Sequence, residues 1–181
     1  VERSRGLGDV YKRQLITGPT QLTDPTGINV IHVQSAEDMF NAVKERYDTQ
    51  DIVFKAAAVS DYTPSEVLEH KMKKREGDLS VTFKRTTDIL KYLGDNKKHQ
   101  YLVGFAAETQ NIEAYAQDKL ARKNADVIIS NNVGDQSIGF SSDDNELTMH
   151  FKNKDMVNIK KGKKVELAKQ ILDELETRWQ Q

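Results

Sequence analysis

Alternating strand and helix patterns predict an α/β domain of three layers, with a mainly parallel sheet and a β-hairpin near the carboxyl end. Three observations carry that reading. Ile52–Ala58, Tyr101–Ala107 and Ala125–Ser130 are apolar runs too short for helices, each giving way to polar residues. Segments between and after them repeat apolar residues every three or four positions, as half-buried helices do. Glu146–Phe151 and Met156–Lys160 flank the polar stretch Lys152–Asp155 and read as the hairpin.

In chain order, the first fourteen residues stand apart. Ser4–Gln14, SRGLGDVYKRQ, matches one translation of the transposon-end adapter used in preparing sequencing libraries. Val1–Gln14 therefore reads as a cloning or assembly scar, with residues 15–181 as the domain proper. Gly6 and Gly8 lack the third glycine of a dinucleotide fingerprint. On this reading the gene is cut just before Leu15, and an upstream part is missing. Leu15–Thr20 is then the stub of a strand entering a turn, and Asp24-Pro25-Thr26-Gly27 is a second turn signal.

Ile28–Val33 is rich in β-branched residues and reads as a strand. Ser35 and Asp38 have the spacing of a capping box, with Ala36, Met39, Phe40, Val43 and Tyr47 on the buried face of the helix that follows. Strand, helix and the Asp51 strand imply a parallel pair joined by a right-handed crossover. Leu79–Lys84 alternates as a half-exposed strand. Thr86-Thr87-Asp88 can cap a short helix carrying Ile89, Leu90 and Leu93, with Gly94 as its stop. A helix from about Asn111 is expected to bury Ile112, Tyr115, Ala116 and Leu120. The last helix, Val165–Trp179, is expected to bury Ala168, Ile171, Leu172, Leu175 and Trp179.

Composition narrows the function. At 181 residues the chain makes one domain with an ordinary core. Lys and Arg total 27 against 28 Asp and Glu, so no global field points to nucleic acid or a membrane surface. With no cysteine there is no disulfide, thiolate metal site or cysteine nucleophile, which fits a reducing cytoplasm. The 4 histidines are scattered without metal-ligand spacing, and no apolar run approaches the roughly 20 residues of a membrane span.

The chemistry concentrates in Asp51–Arg75. A strand ending in Ala56-Ala57-Ala58 lets a ligand approach the backbone, and in open α/β sheets ligands bind at that end. Asp61 follows as a carboxylate for Mg²⁺ or a ribose hydroxyl; such a residue is also an ordinary turn former. Lys71, within His70–Arg75, brings positive charge on a loop, a pattern shared with solvated surface. Lys119 and Lys123 lie one helical turn apart on one face, and with Lys71 they can surround a triphosphate. Phe105, near another strand end, is either core or a platform for a base.

Six stretches now occur in one order: AAVSDY at Ala57–Tyr62, KMKK at Lys71–Lys74, TTDIL at Thr86–Leu90, GFAAET at Gly104–Thr109, the Lys119/Lys123 pair, and GFSSDDN at Gly139–Asn145. Together they resemble the phosphopantothenoylcysteine synthetase domain of the bacterial bifunctional coenzyme A biosynthesis proteins, from Leu15 to the end. The resemblance implies a Rossmann-like homodimer, or a higher homo-oligomer, that uses CTP and Mg²⁺ to join 4′-phosphopantothenate and cysteine through an acyl-cytidylate. It also implies that the backbone at Lys55, Ala56 and Ala57 meets the cytosine. Asp61 (with the metal), Thr87, Asp88, Ile89, Leu90, Phe105, Lys119 and Lys123 then line the nucleotide site. Lys71 binds nucleotide and assists acyl-cytidylate formation.

Two departures from the family pattern are visible. Thr86-Thr87 stands where the family usually has Asn-Pro, and a threonine can cap the helix. The family's amino-terminal segments, Gly-Gly-Thr and Ser-Ser-Gly-Lys-Met-Gly, are absent, so the fragment is expected to be inactive by itself. An FMN-dependent decarboxylase domain normally precedes the synthetase, and FMN enters only if one is fused upstream. Base choice between CTP and ATP stays open. The competing readings are an NAD(P)-binding reductase-like domain, disfavoured by the missing glycine fingerprint, and a non-catalytic nucleotide-binding relative.

Overall fold

The computed structural model describes residues 12–66, 70, 72–73, 77–108, 111–132 and 144–179. They form two units, one of residues 1–46 and 59–87, the other of residues 47–58 and 88–181.

In the first unit, β1 (Gln14–Thr17) and β2 (Asn29–His32) run parallel, with Gln14 opposite Asn29 and Thr17 opposite His32. Among the described residues the first strand thus begins at Gln14, the last residue assigned to the scar, and the Asn29 N–H donates to the Arg13 carbonyl at 3.2 Å. Val1–Tyr11 lies outside the described residues. Helix α1 (Ala36–Arg46) opens with the capping box read from the sequence. The Asp38 N–H donates to Ser35 Oγ at 3.1 Å, and the Ser35 N–H donates to Asp38 Oδ2 at 2.9 Å. Two orphan donors of the first turn are thereby satisfied.

One expected pairing is overturned. β2 pairs with β1, whereas β3 (Ile52–Lys55) takes β6 as its partner. Consecutive strands are often but not always paired, so order along the chain does not fix the partner. The sequence reading also overlooked a small ribbon, β4 (Tyr62–Pro64) antiparallel to β5 (Phe83–Arg85). Only this end of the expected Leu79–Lys84 strand is paired, and the Arg85 guanidinium lies 5.9 Å from the Tyr62 ring centre.

The second unit holds a five-stranded sheet in the order β3-β6-β7-β8-β9. β3, β6 (Tyr101–Glu108) and β7 (Val127–Asn132) are parallel, so their carboxyl ends share one edge. β8 (Asp144–Phe151) and β9 (Met156–Lys163) form the expected antiparallel hairpin, and β8 pairs antiparallel with β7. Alternate residues serve opposite faces of the sheet. Val103, Val127, Ile129, Met149 and Phe151 pack with Leu167, Ile171 and Leu175 of α4 (Lys164–Trp179). On the other face Leu90 of α2 (Ile89–Asp95) lies over Gly104, and α2 packs along α3 (Ile112–Lys123). The unit therefore has three layers.

Several expected core positions shift. The stripe of α4 is Leu167, Ile171 and Leu175, spaced by four; Ala168 and Leu172 are exposed. Both columns are apolar, so spacing alone did not choose between them. Tyr115 is likewise exposed, while Ala116 and Leu120 are buried. Gly94 is not a stop signal but lies inside α2, whose C-cap is Asn96. A Cβ at Gly94 would sit 1.7 Å from the Lys123 carbonyl oxygen, so the side chain is excluded by the contact between α2 and α3.

Candidate functional site

Lys55 ends β3 directly opposite Gly104 of β6, and Leu90 covers that glycine. A Cβ on Gly104 would come within 2.7 Å of Leu90 Cδ2 and 2.8 Å of Ile128 Cδ1. The absence of a side chain thus lets the start of α2 settle against the strands. This brings the Lys55–Ala57 strand end, Asp88–Leu90 and Phe105 to one locality of the second unit, where the ammonium groups of Lys119 and Lys123 also arrive.

Each cation there has a partner. Lys55 Nζ donates to the Ala57 carbonyl at 2.6 Å. Lys119 Nζ reaches from α3 to the Phe105 carbonyl at 3.4 Å, a long contact. Lys123, whose side chain is only 15% exposed, forms an ion pair with Asp88. Asp88 itself caps α2, its Oδ1 accepting the Lys91 N–H at 2.9 Å. Of the expected Thr86-Thr87-Asp88 cap, Asp88 is the residue that serves as the N-cap. Partial burial pushes the Asp88 carboxyl up, but the Lys123 hydrogen bond, the Lys91 N–H and the charges of Lys123 and Lys55 outweigh it. The carboxyl is held below its ordinary value.

Not every candidate side chain can face a ligand. Ile89 and Leu90 are buried core residues, so any contact they make with a ligand runs through backbone. Phe105 is half-buried, with its ring packed against the α4-side core. Ala56 and Ala57 are exposed at the strand end. Asp61 and Thr87 belong to the first unit, both exposed; there the Asp61 carbonyl accepts the Thr86 N–H at 2.9 Å. Lys71 lies outside the described residues, as do Thr109 and residues 139–143.

Among the described residues, no group of three His, Cys, Asp or Glu gathers as a protein cage for a metal. A lone exposed carboxylate such as Asp61 suits Mg²⁺ that arrives with a nucleotide and takes its remaining ligands from phosphate and water. No helix among the described residues is long and apolar enough to cross a membrane. The pairing of Lys123 with Asp88, 35 positions apart, had no sequence signal of its own. Asp88 did stand where an N-cap is expected, before a short apolar helix.

The geometry can now be set beside known proteins. The chain is 49% identical over 162 residues to the coenzyme A biosynthesis bifunctional protein CoaBC of Bacillus subtilis (strain 168), covering 89% of this chain and 40% of that protein. It is 37% identical over 169 residues to CoaBC of Escherichia coli (strain K12), covering 91% and 41%. The crystal structure of the C-terminal domain of a CoaBC superposes with a TM-score of 0.76 at 38% identity, covering 92% of this chain and 76% of that one. The chain spans about two fifths of the length of these curated relatives. The profile described as DNA/pantothenate metabolism flavoprotein C-terminal domain matches residues 9–178. With the profile matching nearly its whole length, the chain belongs to the family of the DNA/pantothenate metabolism flavoprotein C-terminal domain.

Proposed function

We propose that this chain is the phosphopantothenate–cysteine ligase domain of a coenzyme A biosynthesis protein, with CTP as the activating nucleotide. The observation that carries the reading is the cluster of Lys55, Lys119 and Lys123 at the carboxyl edge of β3 and β6, in a chain 49% identical to a CoaBC. A carboxylate is a poor electrophile until it carries a leaving group. In the first step an oxygen of the 4′-phosphopantothenate carboxylate bonds to the α-phosphorus of CTP, and pyrophosphate departs. In the second, the amine of cysteine bonds to the acyl carbon, CMP departs, and the nitrogen loses a proton to leave an amide.

Bringing a carboxylate to a triphosphate requires neutralised charge, and fixed cations supply it without reorganisation. Lys119 and Lys123 serve the phosphates, Lys71 serves the reacting centre, and the Lys55–Ala57 backbone reads the base. Asp61 would hold Mg²⁺, which would supply charge neutralisation to the triphosphate. The domain works as a homodimer in the cytoplasm. The test is pyrophosphate release by the full-length protein containing this chain, given 4′-phosphopantothenate with CTP or with ATP. Release with CTP alone supports the reading, release with ATP alone reassigns the nucleotide, and release with neither removes it.

A further inference from the structure

We propose that Asp88 is a positioning residue that holds the Lys123 ammonium ready for a nucleotide triphosphate; the inference deepens the ligase reading and rests on it. A carboxylate inside a site for a polyanion is unfavourable unless it has another task. Here its two oxygens are divided. Oδ1 accepts the Lys91 N–H at 2.9 Å, which fixes the carboxylate at the start of α2, and Oδ2 accepts from Lys123 of α3.

The other charged groups are accounted for. The Lys91 ammonium pairs with Asp95, one turn along α2. Lys119 turns to the Phe105 carbonyl. Lys55 adds a favourable field at the carboxylate. Lys123 is ordered directly by the carboxylate, in a position where its side chain is 15% exposed. A lysine ammonium carries three donors on a flexible stem, so one can stay on Asp88 while others meet phosphate oxygens. Ordering the stem before the ligand arrives removes an entropy cost from binding. The repulsion between Asp88 and the phosphates is reduced because the carboxylate is already paired.

The test is a double-mutant cycle on CTP affinity, measured by titration calorimetry in the full-length protein that contains this chain. Asp88→Asn keeps an oxygen to cap α2 and removes the charge that holds Lys123. We expect it to weaken CTP binding on the order of tenfold when Lys123 is present. In a Lys123→Met background the same change should move the affinity less than about twofold. Asp88→Ser, which caps through a hydroxyl, repeats the cycle if the asparagine variant folds poorly. Equal weakening in both backgrounds assigns Asp88 to the helix cap alone and overturns the inference. Unchanged or tighter binding by Asp88→Asn overturns it as well. A folded wild-type protein that binds no CTP fails before the cycle begins, which removes the CTP reading and this inference together.

Discussion

Ser130 Oγ and His150 Nε2 lie 2.8 Å apart in the interior of the second unit, the serine 2% and the histidine 1% exposed. They sit on adjacent antiparallel strands, where Ile128 faces His150 and Ser130 faces Thr148. His150 Nδ1 is buried without a hydrogen-bond partner among the described residues. Burial pushes the imidazole below its ordinary value of 6.5, and the nearby charge of Glu113 pulls weakly the other way. Burial in the folded protein thus favours the neutral imidazole.

A stability consequence follows with a definite sign. The unfolded chain takes up a proton on His150 near pH 6.5, whereas the folded one resists it until lower pH. The contribution of this site is fully present above pH 6.5 and is lost as pH falls from there toward the lowered folded value. Urea unfolding at pH 8 and pH 5.5 should show a smaller decline for His150→Gln than for wild type. Equal declines would assign the acid sensitivity to other groups. Ser130→Ala at pH 8 should cost about 1–3 kcal/mol, because it leaves His150 Nε2 unpaired in the core.

Asp126 joins the start of β7 to β6 and to the loop after α2. Its Oδ2 accepts the Leu102 N–H at 2.8 Å, and Lys97 Nζ lies 2.8 and 2.9 Å from its two oxygens. The lysine is 12% exposed and the aspartate 21%. Asp126→Ala strands both donors and should destabilise the protein by about 3–5 kcal/mol. Lys97→Met leaves the Leu102 bond intact and should cost less, as read by thermal unfolding with both variants at neutral pH.

Gly94→Ala should be among the more damaging single-methyl insertions in the second unit. The new Cβ would fall 1.7 Å from the Lys123 carbonyl, which is backbone and cannot rotate away. The two helices must separate, at a cost of about 3 kcal/mol or more. If the denaturation midpoint stays within error of wild type, α2 and α3 do not pack as described.

Lys119→Gln and Lys123→Gln in the full-length protein should each weaken CTP binding about tenfold, and the double variant by more than either. The measurement is titration calorimetry in low salt and in moderate salt. Loss of salt dependence in the double variant would mark the two ammonium groups as the phosphate contacts.

Lys71→Gln keeps the length and hydrogen-bonding capacity of the side chain and removes its charge. In the full-length protein it should slow single-turnover pyrophosphate release by on the order of 10²–10³, the usual worth of one fixed electrostatic contact to a transition state. CTP affinity should change much less, because Lys119 and Lys123 remain. Lys73→Gln and Lys74→Gln are the controls, with milder effects expected. Near-normal release by Lys71→Gln would return the residue to solvated surface.

What the sequence alone determined was local. The Ser35–Asp38 capping box, the short apolar strands, the Lys152–Asp155 hairpin turn and the common edge of three parallel strands all rest on contacts within a few residues or on pattern. Capping, periodicity and turn chemistry act over that range, so they are legible in order along the chain. The tertiary structure decided what depends on contacts between distant segments. It paired β2 with β1 rather than β3, and it selected Leu167 over Ala168 for the core. It also excluded a side chain at Gly94 through a carbonyl on another helix, and it matched Lys123 to Asp88. Each of these turns on which atoms the packed layers bring within a few ångströms, and neither propensity nor charge pattern encodes that for a single residue.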